Sequence, residues 1–335
     1  MKRARSPVTR RLVLRQWGRI AAWGAAVATA AGAAWGQAAY PSKPVFIVVP
    51  FGGGNAYDQM VRYLAERLQN ATGQPFVVDS RQGALGGIAA AYVARTMPDG
   101  HTILFGANST HAANVHLFKK LAYDPVADFA PVTTLATIPQ VLVVSLTLNV
   151  KNLQEFIALA RSQPGKLNYG SSSATGRVAS EAFRQMAGID AVHVPYRSSA
   201  QAITDLISGK LHFLVTDAAL GIAQAQGGKA QALGISSARR VAGVPELPTI
   251  AEAGLPGYEF NAWLALFVPA RTPPEVVKRL ADLANDVVRS PGMLEYLGRL
   301  YAEPFPGDPE SLRRLVETDT ARWGQLINAA GIEPE

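Results

Sequence analysis

Eleven neutral side chains able to donate hydrogen bonds follow the predicted strands of this chain. They are Asn55, Asn108, Ser109, Thr110, Ser171, Ser172, Ser173, Thr175, Ser198, Ser199 and Thr216. Each is a residue type that also caps helices, so an individual capping role stays open for many of them. Their recurrence at the same end of successive strands favours a shared site. Neutral donors without a proton-transfer pair predict binding of a small carboxylate rather than its conversion.

The first of these loops is rich in glycine. Gly52–Gly54 stand between the apolar run Val45–Val49 and apolar residues at helical spacing from Met60 to Leu68. This order predicts strand, loop and helix, with unpaired N–H groups of the first helical turn available to an anion. The loop lacks the Lys-Ser/Thr pair of a phosphate-binding P-loop, and Tyr57 stands where a dinucleotide fingerprint needs its third glycine. A nucleotide site is therefore disfavoured.

Catalytic and metal sites find little support in the sequence. Gly170–Ala174 is close to a nucleophile elbow but has alanine in place of the second glycine. The five histidines show no metal-ligand spacing, and His111 alone follows a polar loop where ligand contact is worth testing. Cysteine is absent, which excludes disulfides and thiolate chemistry. We therefore predict no catalytic residue, no metal and no cofactor.

Residues 1–38 have the composition of an export signal. Seven Lys and Arg residues precede a short run of small apolar residues, and a cleavage point follows at Ala38. The apolar run is short for a membrane anchor. Residues 9–15 also resemble a twin-arginine motif, so the Sec and twin-arginine routes both stay open. Without this leader the formal charge of +7 falls to about zero, so the basic balance is no argument for nucleic-acid or membrane binding. The leader predicts export from the cytoplasm.

Strands and helices alternate along the remaining chain, which predicts an α/β fold with mostly parallel sheets. Two similar layered units are expected, and chain crossings near residues 140 and 265 would form a two-stranded hinge. We predict one lobe from residues 39–139 and 268–335 and a second lobe from residues 140–267. Ligands of such sheets gather at the carboxyl ends of the strands, where the polar loops lie.

Many short motifs in order resemble one family from about residue 40 to the C-terminus. They include Val48-Val-Pro-Phe-Gly-Gly-Gly54, Arg81-Gln-Gly-Ala-Leu-Gly-Gly87, Tyr123-Asp-Pro-Val-Ala-Asp-Phe-Ala-Pro131, His193-Val-Pro-Tyr196 and Pro248-Thr-Ile-Ala-Glu-Ala-Gly-Leu-Pro256. The chain resembles the Bug or TctC family, the periplasmic solute-binding proteins of tripartite tricarboxylate transporters. The resemblance implies a two-lobed class II periplasmic binding-protein fold, each lobe a mixed, mostly parallel sheet flanked by helices. It also implies a monomer that delivers a carboxylate to membrane permease subunits.

Carried over by motif, the resemblance implies ligand contacts from loops of both lobes. The predicted contact residues are Phe51, Gly52, Gly53, Gly54, Asn55, Ala56, Tyr57, Asp58, Asn108, Ser109, Thr110, Ser171, Ser172, Ser173, Thr175, Gly176, Arg177 and Asp217. The loop before Arg177 is about two residues shorter than is usual in the family. Arg177 is either a surface residue or a bidentate partner for a second carboxylate. For Asp58, stabilisation of the helix N-terminus is favoured over ligand contact.

The leading functional hypothesis is a non-catalytic binding protein whose lobes close on a small organic acid for transport. One alternative is a sensor that presents the bound acid to a membrane histidine kinase, as the resemblance permits for some relatives. A serine hydrolase that uses Ser172 is the third possibility.

Overall fold

The computed structural model describes residues 40–50 and 56–334. The predicted signal peptide therefore lies outside the described residues, as does part of the glycine-rich loop. None of the helices in the described ranges combines the length and the apolar character that a bilayer crossing requires.

The described residues form one ten-stranded mixed sheet. Its strands in chain order are β1 (Val45–Val49), β2 (Phe76–Ser80), β3 (Thr102–Ala107), β4 (Phe129–Val144), β5 (Leu167–Ser171), β6 (Ala191–Pro195), β7 (Phe213–Asp217), β8 (Gln231–Ile235), β9 (Asn261–Pro269) and β10 (Glu303–Pro304). The first part of the sheet has the order β2-β1-β3-β9-β4, and β10 also pairs with β4. β1 runs parallel to β2 and β3, whereas β9 runs antiparallel to β3 and β4.

β4 belongs to both parts of the sheet. Its residues up to Pro139 pair with β9, and its residues from Gln140 onward pair antiparallel with β7. The second part continues from β7 through parallel β5 to β6, and β8 pairs with β4. β4 reaches both parts because it is 16 residues long, and it is almost wholly buried. The predicted α/β fold with a mixed sheet is confirmed. The expectation of mostly parallel pairing is wrong, because four strand pairings among the described residues are parallel and five are antiparallel, with β4 and β9 making the antiparallel ones.

The return crossing differs from the expected position near residue 265. β9 pairs with β3 and β4 of the first part from Asn261 onward. Residues 261–267, which the predicted boundaries assign to the second lobe, therefore join the first part by strand pairing. The division into lobes at residues 140 and 268 stays a prediction.

Helices cover the faces of both parts of the sheet. They are α1 (Ala56–Thr72), α2 (Gly87–Val93), α3 (Asn114–Leu117), α4 (Leu153–Ser162), α5 (Ala174–Met186), α6 (Ser199–Ile207), α7 (Ala218–Gln226), α8 (Pro274–Val288), α9 (Pro291–Arg299) and α10 (Pro309–Ala329). The helices α8 and α10 pack against β4, and α8 also contacts α1.

Local sequence signals account for most helix starts. Asn152 and Glu155 have the residue types and spacing of a capping box, and the side chain of Asn152 accepts a hydrogen bond from the amide of Glu155 at 2.9 Å at the start of α4. Asp308 caps α10 by accepting from the amide of Ser311 at 2.8 Å. Thr272 has the residue type of an N-cap but does not cap α8, because α8 begins at Pro274 and the Thr272 hydroxyl donates to the carbonyl of Pro269 at 2.7 Å.

Candidate functional site

A cavity of about 300 Å³ opens at the carboxyl ends of the strands, with walls from both parts of the sheet. Its described lining residues are Pro50, Tyr57, Gln82, Gly83, Ala84, Leu85, Gly86, Phe118, Gln140, Ser172, Ser173, Tyr196, Arg197, Ser198, Ser199, Ala200, Val215, Thr216, Asp217 and Leu220. Small and polar neutral residues dominate. The position is the one expected for ligands of parallel α/β sheets.

Three helices of the second part begin at this cavity. Each has a side chain at its N-cap: Ser173 accepts from the Gly176 amide (3.1 Å), Ser198 from the Gln201 amide (3.4 Å), and Asp217 from the Leu220 amide (3.0 Å). A cap satisfies only part of the unpaired N–H groups of a first turn. The positive ends of α5, α6 and α7 therefore meet in one place, an arrangement that stabilises a bound anion.

Side chains of the second part also tie these loops to each other. The hydroxyls of Ser172 and Ser199 lie 2.8 Å apart, which joins the loop before α5 to the start of α6. The Tyr196 hydroxyl donates to Asp205 at 2.9 Å. Burial and this carboxylate raise the pKa of Tyr196 to about 12. The second wall of the cavity is thus held in place by its own hydrogen bonds.

Tyr57 extends from the start of α1 and is almost fully buried. Burial and the carboxylate of Asp217 raise the pKa of Tyr57, although a side-chain hydrogen bond with Gln140 opposes the shift. The phenol therefore keeps its proton at neutral pH and serves as a neutral hydrogen-bonding group. Asp217 and Arg197 are the only charged side chains among the described residues that line the cavity.

The opposite wall is a turn between β2 and α2 with an unusual backbone. Gly83, Ala84, Leu85 and Gly86 all have positive φ, at 125°, 47°, 50° and 93°. The left-handed region costs a non-glycine residue roughly 1–2 kcal/mol. A Cβ at Gly86 would lie 2.8 Å from Thr110 Cγ2 and 3.0 Å from Pro50 Cβ, so this position requires glycine. Backbone strain held by close packing is typical of ligand sites.

Comparison with known proteins decides the family. Residues 60–332 match the family described as Tripartite tricarboxylate transporter family receptor. The chain belongs to this family. Its members are periplasmic solute-binding receptors, and relatives that carry the Bug name confirm the resemblance seen in the sequence.

Individual relatives of this receptor match over most of their length. A UPF0065 protein from the tcbD-tcbE intergenic region of Pseudomonas sp. strain P51 is 36% identical over 86% of this chain and 87% of its own. The structure of R. palustris Rpa4515 with adipate has a TM-score of 0.86 and 36% identity, covering 88% of this chain and 100% of that one. MatC (Rpa3494) from Rhodopseudomonas palustris with bound malate has a TM-score of 0.80 and 30% identity, covering 86% and 100%.

Four of the predicted contact residues line the cavity of this receptor: Tyr57, Ser172, Ser173 and Asp217. Phe51, Gly52, Gly53, Gly54 and Asn55 lie outside the described residues, as does the side chain of Ala56. The described residues on either side of that gap, Pro50 and Tyr57, both line the cavity.

Two predicted donors bind each other instead of facing the cavity. The Thr175 hydroxyl donates to the side-chain oxygen of Asn108 at 3.2 Å, and the Asn108 amide donates to the carbonyl of Asn261 at 3.3 Å. Both side chains are buried. They connect the end of β3 to the start of α5, and neither lines the cavity.

Four other predicted residues, Ser109, Thr110, Ser171 and Gly176, do not line the cavity. The Thr110 hydroxyl donates to the carbonyl of Ala107 at 3.0 Å, and the neighbouring Ser109 is buried away from the cavity wall. The Ser171 hydroxyl lies 2.7 Å from His193 Nε2. The amide of Gly176 donates to Ser173. These residues support the loops around the cavity.

Asp58 and His111 occupy structural positions. The Asp58 carboxylate accepts from Arg62 Nε at 3.1 Å within the first turns of α1, which agrees with the favoured role at the helix N-terminus. The His111 ring is fully buried and stacks on Phe267 at 3.5 Å between ring centroids. Burial lowers the pKa of His111 to about 3, so this ring is neutral.

Several lining residues were absent from the predicted contact set. Gln140 is one polar side chain within the apolar run of β4, a signal that the sequence contained. Ser198, Ser199 and Thr216 belong to the neutral donors recognised in the sequence. The turn around Ala84 lay within a family motif, but nothing in its residue types indicated contact with the cavity.

Arg177 is half-buried on α5 and does not line the cavity. We therefore expect Arg177→Ala to change affinity for mono- and dicarboxylates by less than about twofold. Calorimetric titration of both ligand types checks this. A selective loss of dicarboxylate binding of about 1.5 kcal/mol or more, typical of a lost charge-assisted pair, would return Arg177 to the site.

Within residues 40–50 and 56–334, no group of three or more His, Cys, Asp and Glu side chains is arranged to hold a metal ion.

Proposed function

We propose that this receptor captures a small organic carboxylate in the cavity and delivers it to the membrane subunits of a tripartite tricarboxylate transporter. The convergence of three helix N-termini on one cavity supports this most directly. Such termini bind anions through backbone N–H groups and the helix dipole. The membership of the family supports the transporter as partner.

The relatives indicate which anion. One similar structure is described with adipate and another with bound malate, and both are dicarboxylates. The wall of this cavity has the neutral donors that a carboxylate requires, in Ser172, Ser173 and Thr216. Tyr57 contributes a phenol that stays protonated. We propose that these four side chains and Asp217 contact the ligand or its ordered water.

Binding without conversion is part of the proposal. Among the described lining residues there is no His, Cys, Lys or Glu, the one carboxylate, Asp217, caps α7, and the pKa values of both lining tyrosines are raised. A general acid or base works best with a pKa near the operating pH. The composition of this wall therefore supports a receptor rather than an enzyme.

The arrangement of the chain suits closure around the ligand. We propose that the protein acts as an exported periplasmic monomer of two lobes, with β4 and the chain entering β9 as the hinge. The cavity wall comes from both parts of the sheet that β4 connects. Hinge closure of two lobes would exclude water from the bound carboxylate.

Titration of the mature protein against an acid panel tests the proposal. Adipate, malate, citrate and benzoate are titrated by calorimetry, with adipamide as the neutral counterpart of adipate and phosphate as a second anion. We expect at least one carboxylate to bind with micromolar or better affinity, about 8 kcal/mol, and adipamide to show no heat. The absence of binding by every acid would refute the proposed function.

A further inference from the structure

A second concave surface lies on the outer side of the turn between β2 and α2. This outer groove of about 550 Å³ runs between α2 and residues 118–123. The lining residues that matter here are Arg81, Ile88, Tyr92, Arg95, Phe118 and Lys120. None of these six belongs to the predicted contact set.

The groove exposes apolar side chains on a helix that already buries its other face. Ala89, Ala90 and Val93 of α2 are buried in the core. On the outer face, Ile88 is 52% exposed and Tyr92 is 39% exposed. Large apolar side chains grouped in a concave surface mark an interaction site more often than scattered ones do.

The charged residues of the groove share one sign. The Arg81 guanidinium lies 3.5 Å from the ring centroid of Tyr92 and is paired with Asp79 at 2.8 Å. Arg95 donates to the carbonyl of Ala122 at 3.2 Å, and Lys120 is exposed. No Asp or Glu is among the described residues that line the groove. A binding partner complementary to this groove would present an apolar side chain flanked by carboxylates.

The outer groove and the ligand cavity share a wall. Ala84 and Phe118 line both of them. Ala84 is one of the residues with positive φ, so the shared wall is the strained turn. A segment bound in the groove would therefore contact the same turn that a solute touches from inside. A partner that receives the solute would benefit from contacting this shared turn. The membrane subunit of the transporter is such a partner.

We propose that the outer groove docks an apolar side chain, flanked by carboxylates, of a membrane subunit of the transporter. This rests on the proposed function for the identity of the partner. The apolar contact is made by Ile88 and Tyr92, and the carboxylates are met by Arg95 and Lys120. Loss of either contribution weakens docking, whereas solute binding inside the cavity is retained.

Binding of the mature protein to nanodiscs that contain the transporter membrane subunits of the same genome tests the proposal. We expect Ile88→Asp and Lys120→Glu each to weaken this binding at least tenfold by surface plasmon resonance. The matched controls are Leu294→Asp, on a helix surface where the side chain is 42% exposed, and Lys229→Glu at another exposed position. Both controls should bind within twofold of wild type, and all variants should keep the wild-type melting temperature.

Any of three results would overturn the proposal. In the first, the wild type fails to bind the nanodiscs that contain the membrane subunits; in the second, Ile88→Asp binds as wild type does; in the third, the two control variants lose as much binding as Ile88→Asp and Lys120→Glu. Carboxylate titration of the same proteins separates this result from the proposed function. If no acid binds the wild type, the proposed function fails, while the nanodisc measurement still decides the role of the groove.

Discussion

Replacing Asp319 with leucine is expected to lower the free energy of unfolding by about 2–6 kcal/mol, because it leaves two buried donors unpaired at roughly 1–3 kcal/mol each. One oxygen of this carboxylate accepts from Trp263 Nε1 at 2.6 Å and from Trp323 Nε1 at 3.0 Å. Trp263 lies on β9, and Asp319 and Trp323 lie on α10. The cluster therefore joins the returning strand to the C-terminal helix.

Asparagine at position 319 is the matched control, since it keeps an oxygen of the same geometry for both indoles. We expect Asp319→Asn to lose much less stability than Asp319→Leu in urea unfolding at pH 7. Similar losses in the two variants would show that the carboxylate charge, and not the pairing of the indoles, stabilises the cluster. No measurable loss in Asp319→Leu would contradict the assigned hydrogen bonds.

Wild type and Asp319→Asn are also expected to differ in how their stability depends on pH. Burial raises the pKa of Asp319, although the two indole donors oppose the shift. A carboxyl group with a raised pKa in the fold contributes stability below its ordinary pKa of about 4 and loses that contribution as pH rises through the raised value. The stability of wild type relative to Asp319→Asn should therefore fall as pH increases above about 4.

The sequence predicted the layout of the site because strand ends and helix starts have local signals. Ser173 follows β5 and Asp217 is the last residue of β7, and short polar side chains between a strand and a helix favour N-caps. Parallel strands then bring these caps to one edge of the sheet. The lining donors Ser172, Ser173, Ser198, Ser199 and Thr216 of the second wall followed from residue types and order, whereas Asp217 was named only through the family resemblance.

Pairing between loops was beyond the sequence. Asn108 and Thr175 have the residue types of ligand donors, but their polar atoms meet each other at 3.2 Å. A hydroxyl and an amide satisfy one another as well as they satisfy a carboxylate. The partner of each side chain depends on the distance between the two parts of the sheet. The spacing of residues along the sequence does not predict that distance.

The turn at Ala84 and Leu85 shows a second limit. Alanine and leucine favour negative φ by steric exclusion, yet both have positive φ here. Gly86 packs so closely against Thr110 and Pro50 that no Cβ fits, and this packing holds the turn in its conformation. At this wall, tertiary contacts determine φ against the preference of the individual residues. The two surfaces of the turn therefore could not be predicted from residue types.

Replacing Ala200 with tryptophan is expected to weaken solute binding strongly without destabilising the receptor. Ala200 is exposed near the start of α6 and lines the cavity. An indole ring there would fill much of a cavity of about 300 Å³. Because the site is open to solvent, the larger side chain needs no repacking of the core.

We expect Ala200→Trp to weaken binding of the carboxylate found in the acid panel by at least about a hundredfold, or about 2.7 kcal/mol. Ala321→Trp is the control, since Ala321 is an exposed alanine of α10 away from the cavity. Calorimetry gives the affinities, and thermal unfolding should be alike for the two variants. Wild-type affinity in Ala200→Trp would place the ligand elsewhere, whereas a loss shared with Ala321→Trp would attribute the effect to tryptophan itself. A loss confined to Ala200→Trp would place the solute in the cavity where α5, α6 and α7 begin, because the indole would occupy that space.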